Sequence, residues 1–269
     1  MTSDMKNPPL IFLGNGPLAD HALKILSKNF EILYHAQTKS DLDTVKSLKQ
    51  KHPESPGILA SFGVILKPDL LDLFEPTGIL NIHPSKLPAY RGPSPIETAI
   101  LNGDTSFSVS IMKLAEKMDA GPLYFQSTLT PDDCFRPDLK SYLYENLAAL
   151  GAHWLVENLM SLPAPVPQDD QKATFTTKLT KSQSLLTPDL DTAPQTLRKI
   201  LAFQTFPKPK YTFYDKECII LSAHLSKEAT PLSLKCRDNL YVAIDELQPL
   251  GKNPMDQKSF LNGYAKPKK

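Results

Sequence analysis

Apolar residues fall in short blocks along the first half of the chain, separated by stretches with helical spacing. The block at 9–14, Pro-Leu-Ile-Phe-Leu-Gly, predicts a buried strand that stops on a glycine. Leu18, Ala22, Ile25 and Leu26 then recur at intervals of three and four, the signature of an amphipathic helix. The alternation continues with strands predicted at 30–36, 57–66 and 78–83, and with helices at 42–52 and 68–74. A proline-led helix from Pro95 to Gly103, strands at 108–112 and 121–128, and a long helix at 137–160 complete the first part. In that long helix Leu143, Leu147, Leu150, Trp154, Leu155 and Leu159 form a stripe expected to cover the sheet. Strands alternating with helices predict an α/β, doubly wound, mostly parallel sheet of Rossmann-like type.

The pattern changes near residue 161. Ser161 to Asp170 is rich in proline and acid and reads as a linker, followed by a short helix at 196–203. Short β-rich blocks at 210–214, 218–223, 232–236 and 239–244 predict a small β-rich barrel or sandwich. The expected organisation is a catalytic domain over 1–168, a linker over 169–190 and a C-terminal domain over 191–269. No internal repeat is visible.

Composition narrows the class. With 269 residues, 41% apolar and 22% charged, the chain has the make-up of a globular protein. The first ten residues carry no signal-peptide pattern and no apolar run is long enough to span a bilayer, so the expectation is a cytoplasmic protein. Cys134, Cys218 and Cys236 have no paired spacing, which argues against disulfides and a structural zinc site; we read them as packing residues. Charge is uneven. Residues 191–269 hold 13 Lys and Arg against 8 Asp and Glu, net +5, and residues 1–190 hold 17 against 21, net −4. A basic C-terminal part fits nucleic-acid phosphates, or simply a solvated face with a Lys-rich tail.

Two stretches carry candidate chemistry. Gly-Asn-Gly-Pro-Leu-Ala at 14–19 fits G-x-G-x-x-A, a dinucleotide-binding pattern. The carboxylate expected at the end of the second strand is missing, so a tight strand–helix turn is favoured and a nicotinamide-dependent oxidoreductase remains an alternative. The second stretch is Ile-Leu-Asn-Ile-His at 79–83. Residues i and i+2 of a strand face one side, so Asn81 and His83 project together. Pro84 stops the strand, Pro84 and Pro88 stiffen the loop, and Ser94, Pro95 and Glu97 are expected to cap the next helix as a capping box. Asp119, in a predicted loop before Ala120 and Gly121, is the carboxylate available to orient an imidazole. Each residue alone is as readily structural.

Together, Asn81-Ile-His83, Ser85-Lys86-Leu87-Pro88, Arg91-Gly92 and Asp119-Ala-Gly121 resemble the 10-formyltetrahydrofolate-dependent formyltransferases. The resemblance implies that Asn81, His83 and Asp119 are catalytic, that 10-formyltetrahydrofolate donates the formyl group and that no metal is used. It places Phe62, Gly63, Val64, Ile65 and Leu66 in the folate pocket, with Ser85, Lys86, Leu87 and Pro88. More weakly, 197–212 and 246–255 are similar to the OB-like C-terminal domain of the branch that formylates initiator methionyl-tRNA. On that basis Arg91, Arg198, Lys199, Lys208, Lys210 and Lys252 are candidate tRNA contacts, in a protein expected to be monomeric. The chain departs from the family at Lys86, which replaces a leucine, and at the Gly-Asn-Gly-Pro turn. It is also shorter between Ala36 and Ser61, and lacks the basic loop that enters the acceptor stem. A formyltransferase for a small amine, such as an amino-sugar nucleotide or glycinamide ribonucleotide, shares every catalytic residue and stays open; a non-catalytic RNA-binding module would leave them idle.

Overall fold

The computed structural model describes residues 7–265, so the Lys-rich tail lies outside the described residues. Two compact units emerge. The first comprises the described residues up to Pro95, with Ser106–Thr130 and Ser141–Thr177; the second comprises Ile96–Thr105, Pro131–Lys140 and the described residues from Lys178.

The first unit carries the predicted α/β alternation. The elements are β1 (Leu10–Gly14), α1 (Pro17–Leu26), β2 (Ile32–Ala36), α2 (Leu42–Lys51), β3 (Gly57–Ala60), α3 (Pro68–Leu71) and β4 (Ile79–His83). They are followed by β5 (Phe107–Lys113), β6 (Leu123–Leu129) and most of α5 (Leu139–Asn158), whereas α4 (Pro95–Asn102) belongs from Ile96 onward to the second unit. The sheet order is β2-β1-β3-β4-β5-β6. The first four strands run parallel, and β5 and β6 are antiparallel to their neighbours. Strand order reverses between β1 and β3, so the carboxyl ends of β1, β3 and β4 open onto the crevice where such sheets bind ligands. Leu10 to Leu13, Ile58, Ile79, Leu80 and Ile82 are fully buried, which explains why these strands read as continuous apolar runs.

Two expectations need correction. The apolar run 57–66 is not one strand: β3 ends at Ala60, because Ser61 and Gly63 adopt positive φ (51° and 68°) and turn the chain out of the sheet. Phe62 and Leu66 fold back into the core, whereas Ile65 is 77% exposed. The stripe on α5 is also displaced. Leu143, Leu147, Leu155 and Leu159 are buried, but Leu150 and Trp154 lie on the flank, where Trp154 stacks on Phe125 at 5.2 Å. Gly151 is the contact point: a Cβ there would stand 2.8 Å from Ile82 and 3.2 Å from Ile111, so helix and sheet meet where a larger residue could not fit.

The second unit contains α6 (Ala193–Ala202), β7 (Lys210–Phe213), β8 (Lys216–Ser226), β9 (Ser233–Lys235), β10 (Tyr241–Pro249), β11 (Met255–Asp256) and α7 (Gln257–Tyr264). Its antiparallel sheet, ordered β11-β10-β8-β7 with β9 on β10, is the OB-like element expected from the sequence. Strands β8 and β10 outrun the predicted blocks, and β11 and α7 were not predicted. Thr192 and Gln195 form a capping box that starts α6. Lys140 pairs with Glu97 at 2.9 Å and donates to the carbonyl of Ala202, so a nearly buried charge is fully engaged.

The cysteines are packing residues: Cys218 and Cys236 are buried, and Cys134 is half-buried. Burial pushes the Cys218 thiol up to about 11 and raises that of Cys236. At pH 8 only roughly one Cys218 in a thousand is thiolate, so a thiol reagent is expected to label Cys134 first and the other two only after denaturation. Peptide mapping after limited labelling checks this order.

Candidate active site

The site grows from the carboxyl end of β4. Asn81 and His83 pair with Met112 and Ser110 of β5, and Leu59 of β3 lies opposite Asn81 on the other side. Both polar side chains are therefore held between two well-ordered strands. Asn81 is 5% exposed, and among the described residues its side chain makes no hydrogen bond to protein. The amide is thus enclosed by the strands and uncommitted to a protein partner, which leaves it available to a ligand.

The loop after His83 is fastened at several points. Ser110 donates its hydroxyl to the Ser85 carbonyl at 2.6 Å and accepts the Leu87 amide at 3.2 Å. Gln126 of β6 donates to the Leu87 carbonyl at 2.8 Å, and Ser85 donates to that of Ala89 at 2.7 Å. Ser85 and Leu87 are buried, Lys86 is exposed and Pro88 is half-buried; the Leu87–Pro88 peptide is cis. Ser94 donates to the Thr177 carbonyl at 2.6 Å. Tyr90 takes a positive φ of 60°, and its carbonyl lies 3.1 Å from Nε2 of His83.

Asp119 arrives from the β5–β6 connection. Its Oδ1 is 3.8 Å from Nδ1 of His83, and its Oδ2 accepts the Gly92 amide at 2.8 Å. Both side chains are largely enclosed, at 6% and 13% exposure. One imidazole nitrogen thus meets the Tyr90 carbonyl, and the other faces the Asp119 carboxylate. The 3.8 Å gap exceeds a hydrogen bond, so the Nδ1 edge is open to a third group. Asp119 itself sits at φ 50°, a conformation that Asp tolerates better than most residues. Gly121 makes the tight connection possible, because a Cβ there would fall 1.8 Å from the Lys113 carbonyl oxygen. Gly121→Ala is expected to move the Asp119 loop, cost about 1–3 kcal/mol of stability and abolish most turnover; thermal unfolding and rate measurements on the same preparation check both effects.

Arg91, a candidate phosphate contact, is enclosed rather than presented at the surface. It is fully buried, its Nη1 lies 2.8 Å from Asp170, and Nε and Nη2 donate to Gln168. Its backbone pairs with the incoming chain: Arg91 N donates to Thr174 O, and Thr176 N donates to Arg91 O. The segment read as a linker is therefore docked along the site. Asp170 also pairs with Lys117 at 2.5 Å, and Lys117 first, then Arg91, hold its carboxyl below the usual carboxylate range. Sequence reasoning missed Tyr90, Ser110, Gln126 and Gln168, which have no local pattern; only the stiff Pro163, Pro165 and Pro167 ahead of Gln168 hint at an anchored segment.

Other predicted residues fall in different places. Phe62 to Leu66 form the loop leaving β3, next to the strand that carries Asn81. Gly14 at the end of β1 packs against β3, where a Cβ would meet the Ala60 oxygen at 2.1 Å, so the first turn is a close-packed strand–helix turn. In the second unit, Lys199 pairs with Asp191 at 2.6 Å, Lys210 pairs with Glu217 at 2.5 Å, and Arg198 lies over Phe135. Lys208 and Lys252 are exposed. Among the described residues no cluster of three or more His, Cys, Asp or Glu could hold a metal ion, and no helix is long and apolar enough to cross a membrane.

The formyl transferase family profile matches residues 15–159, which contain the whole constellation. A methionyl-tRNA formyltransferase of Roseiflexus castenholzii is 33% identical over 84% of this chain and 76% of its own length. Among solved structures, a methionyl-tRNA formyltransferase from Clostridium thermocellum superposes with a TM-score of 0.67 at 17% identity, over 91% of this chain and 98% of that one. HypX from Aquifex aeolicus, in complex with tetrahydrofolic acid, gives a TM-score of 0.73 at 18% identity; it covers 97% of this chain, which spans 48% of HypX. At such identities the structures speak for the fold, and the family follows from the profile and the sequence relative. The chain is an enzyme of the formyltransferase family.

Proposed function

We propose that the chain transfers the formyl group of 10-formyltetrahydrofolate to the amino group of methionyl initiator tRNA. The observation that carries the reading is the unpartnered Asn81 amide beside His83, with the Asp119 carboxylate 3.8 Å from the imidazole. Formyl transfer needs those groups. The amine nitrogen attacks the formyl carbon, the carbonyl electron pair moves onto oxygen, and a tetrahedral anion forms. Asn81, through its amide N–H, and His83, through Nδ1–H, stabilise that oxygen. Asp119 orients the imidazole and takes the proton of the attacking amine. Collapse of the anion breaks the bond to the folate nitrogen, which takes up a proton. The folate is held by Phe62 to Leu66 and by Ser85 to Pro88.

The acceptor assignment is supported by the methionyl-tRNA formyltransferase relatives and by the basic OB-like unit, net +5 over residues 191–269. Lys208 and Lys252, exposed and without an ion pair among the described residues, are the most available phosphate contacts; Arg198, Lys199 and Lys210 would first have to leave their partners. A substrate panel tests the assignment. 10-Formyltetrahydrofolate is offered with charged initiator tRNA, glycinamide ribonucleotide and an amino-sugar nucleotide, and the products are weighed by mass spectrometry. A 28 Da gain confined to the methionyl-tRNA is expected, being about one formyl group in place of one hydrogen. The same gain confined to a small amine would overturn the acceptor and leave the chemistry standing.

A further inference from the structure

We propose that Gln168 is a positioning residue for the transfer step, holding Asp119 in place against His83. The inference rests on the reading of Asn81, His83 and Asp119 as the reacting set. Gln168 uses its whole hydrogen-bonding capacity on the site. Its Oε1 accepts from Arg91 Nε at 3.1 Å and Nη2 at 2.8 Å, and its Nε2 donates to the carbonyls of Asp119 at 2.9 Å and Gly121 at 2.7 Å. The partners dictate the residue type. A guanidinium only donates and the two carbonyls only accept, so the bridge requires a group with both functions, as a primary amide has.

The bridge closes a circuit around the carboxylate. Gly92 N–H holds Oδ2 of Asp119 from one side, and Gln168 holds the backbone carbonyl of the same residue from the other. Arg91 and Gly92 are consecutive, so one backbone segment anchors both grips. Arg91 is itself fixed by Asp170 and by its pairing with Thr174 and Thr176. Asp119 occupies a left-handed conformation at φ 50° and needs such outside support to stay there. A relaxation of the loop by about 1 Å would carry the carboxylate farther from the imidazole and away from the amine proton, a displacement that can cost about a hundredfold in rate.

Gln168→Glu isolates the claim, because glutamate still accepts from Arg91 but cannot donate to the two carbonyls. The experiment measures kcat, both KM values and thermal unfolding for the parent, Q168E, Asp119→Asn and the double variant, with the acceptor that the substrate panel identifies. We expect Q168E to lose about 10- to 100-fold in kcat, with KM for the folate changed less than about twofold. In the D119N background the same substitution should cost less than about twofold, since no base remains to be misplaced. A folded Q168E with parental kcat, or losses that multiply in the double variant, would overturn the inference. Gln168→Ala carries the same comparison if Q168E does not fold. Parental turnover in D119N would remove the underlying reading, and the inference with it, so the two failures are told apart.

Discussion

Asn81→Ala is expected to lower kcat by about 10²- to 10³-fold while leaving the fold as stable as the parent to within about 1 kcal/mol. The two halves of this expectation share one cause. The amide is buried and makes no hydrogen bond to protein among the described residues, so its removal breaks nothing inside the fold. Alanine leaves only a small void there. In the proposed mechanism its value appears only when negative charge develops on the formyl oxygen, and donors preorganised for such charge contribute on this scale. Turnover near the parental value, in a variant that binds folate normally, would exclude Asn81 as an oxyanion donor. Parallel thermal unfolding keeps a trivial loss of structure from imitating the effect.

Asp119→Asn is expected to be nearly as damaging, with kcat reduced about 10²- to 10⁴-fold and folate KM changed little. The substitution is close to isosteric. An amide oxygen still accepts the Gly92 N–H, so the loop keeps its anchor at 2.8 Å. Two functions are lost: the carboxylate no longer faces His83, and nothing at that position takes the proton of the attacking amine. A rise in KM at constant kcat would assign Asp119 to substrate binding instead. Initial rates at saturating and limiting folate separate the two outcomes.

Much of this site was legible in the sequence because its parts are local. Asn81 and His83 are two residues apart on one strand, Pro84 ends that strand, and the alternation of strands and helices fixes where its carboxyl end lies. The α/β class followed from the same apolar blocks, with errors where an apolar run outlasted its strand. After Ala60 the chain turns through Ser61 and Gly63, yet Phe62 and Leu66 remain buried, so hydrophobicity alone gave no sign of the exit. What stayed hidden depends on contacts between distant segments. Arg91 looked like a surface cation, because nothing nearby in sequence announces Gln168 and Asp170 as its partners, 77 and 79 positions away. The proline-rich connection looked like a spacer for the same reason. In the OB-like unit, short strands and a terminal helix rest on cross-strand pairing, which residue patterns encode weakly.

The account depends on Asn81, His83 and Asp119 acting on the bond-making step rather than on binding or folding. Single-turnover transfer, with enzyme in excess over 10-formyltetrahydrofolate and acceptor saturating, observes that step alone. For Asn81→Ala and Asp119→Asn we predict a first-order rate at least about a hundredfold below the parent, with folate affinity retained. Single-turnover rates equal to the parent in both variants would contradict the account and return Asn81 and Asp119 to a purely structural role.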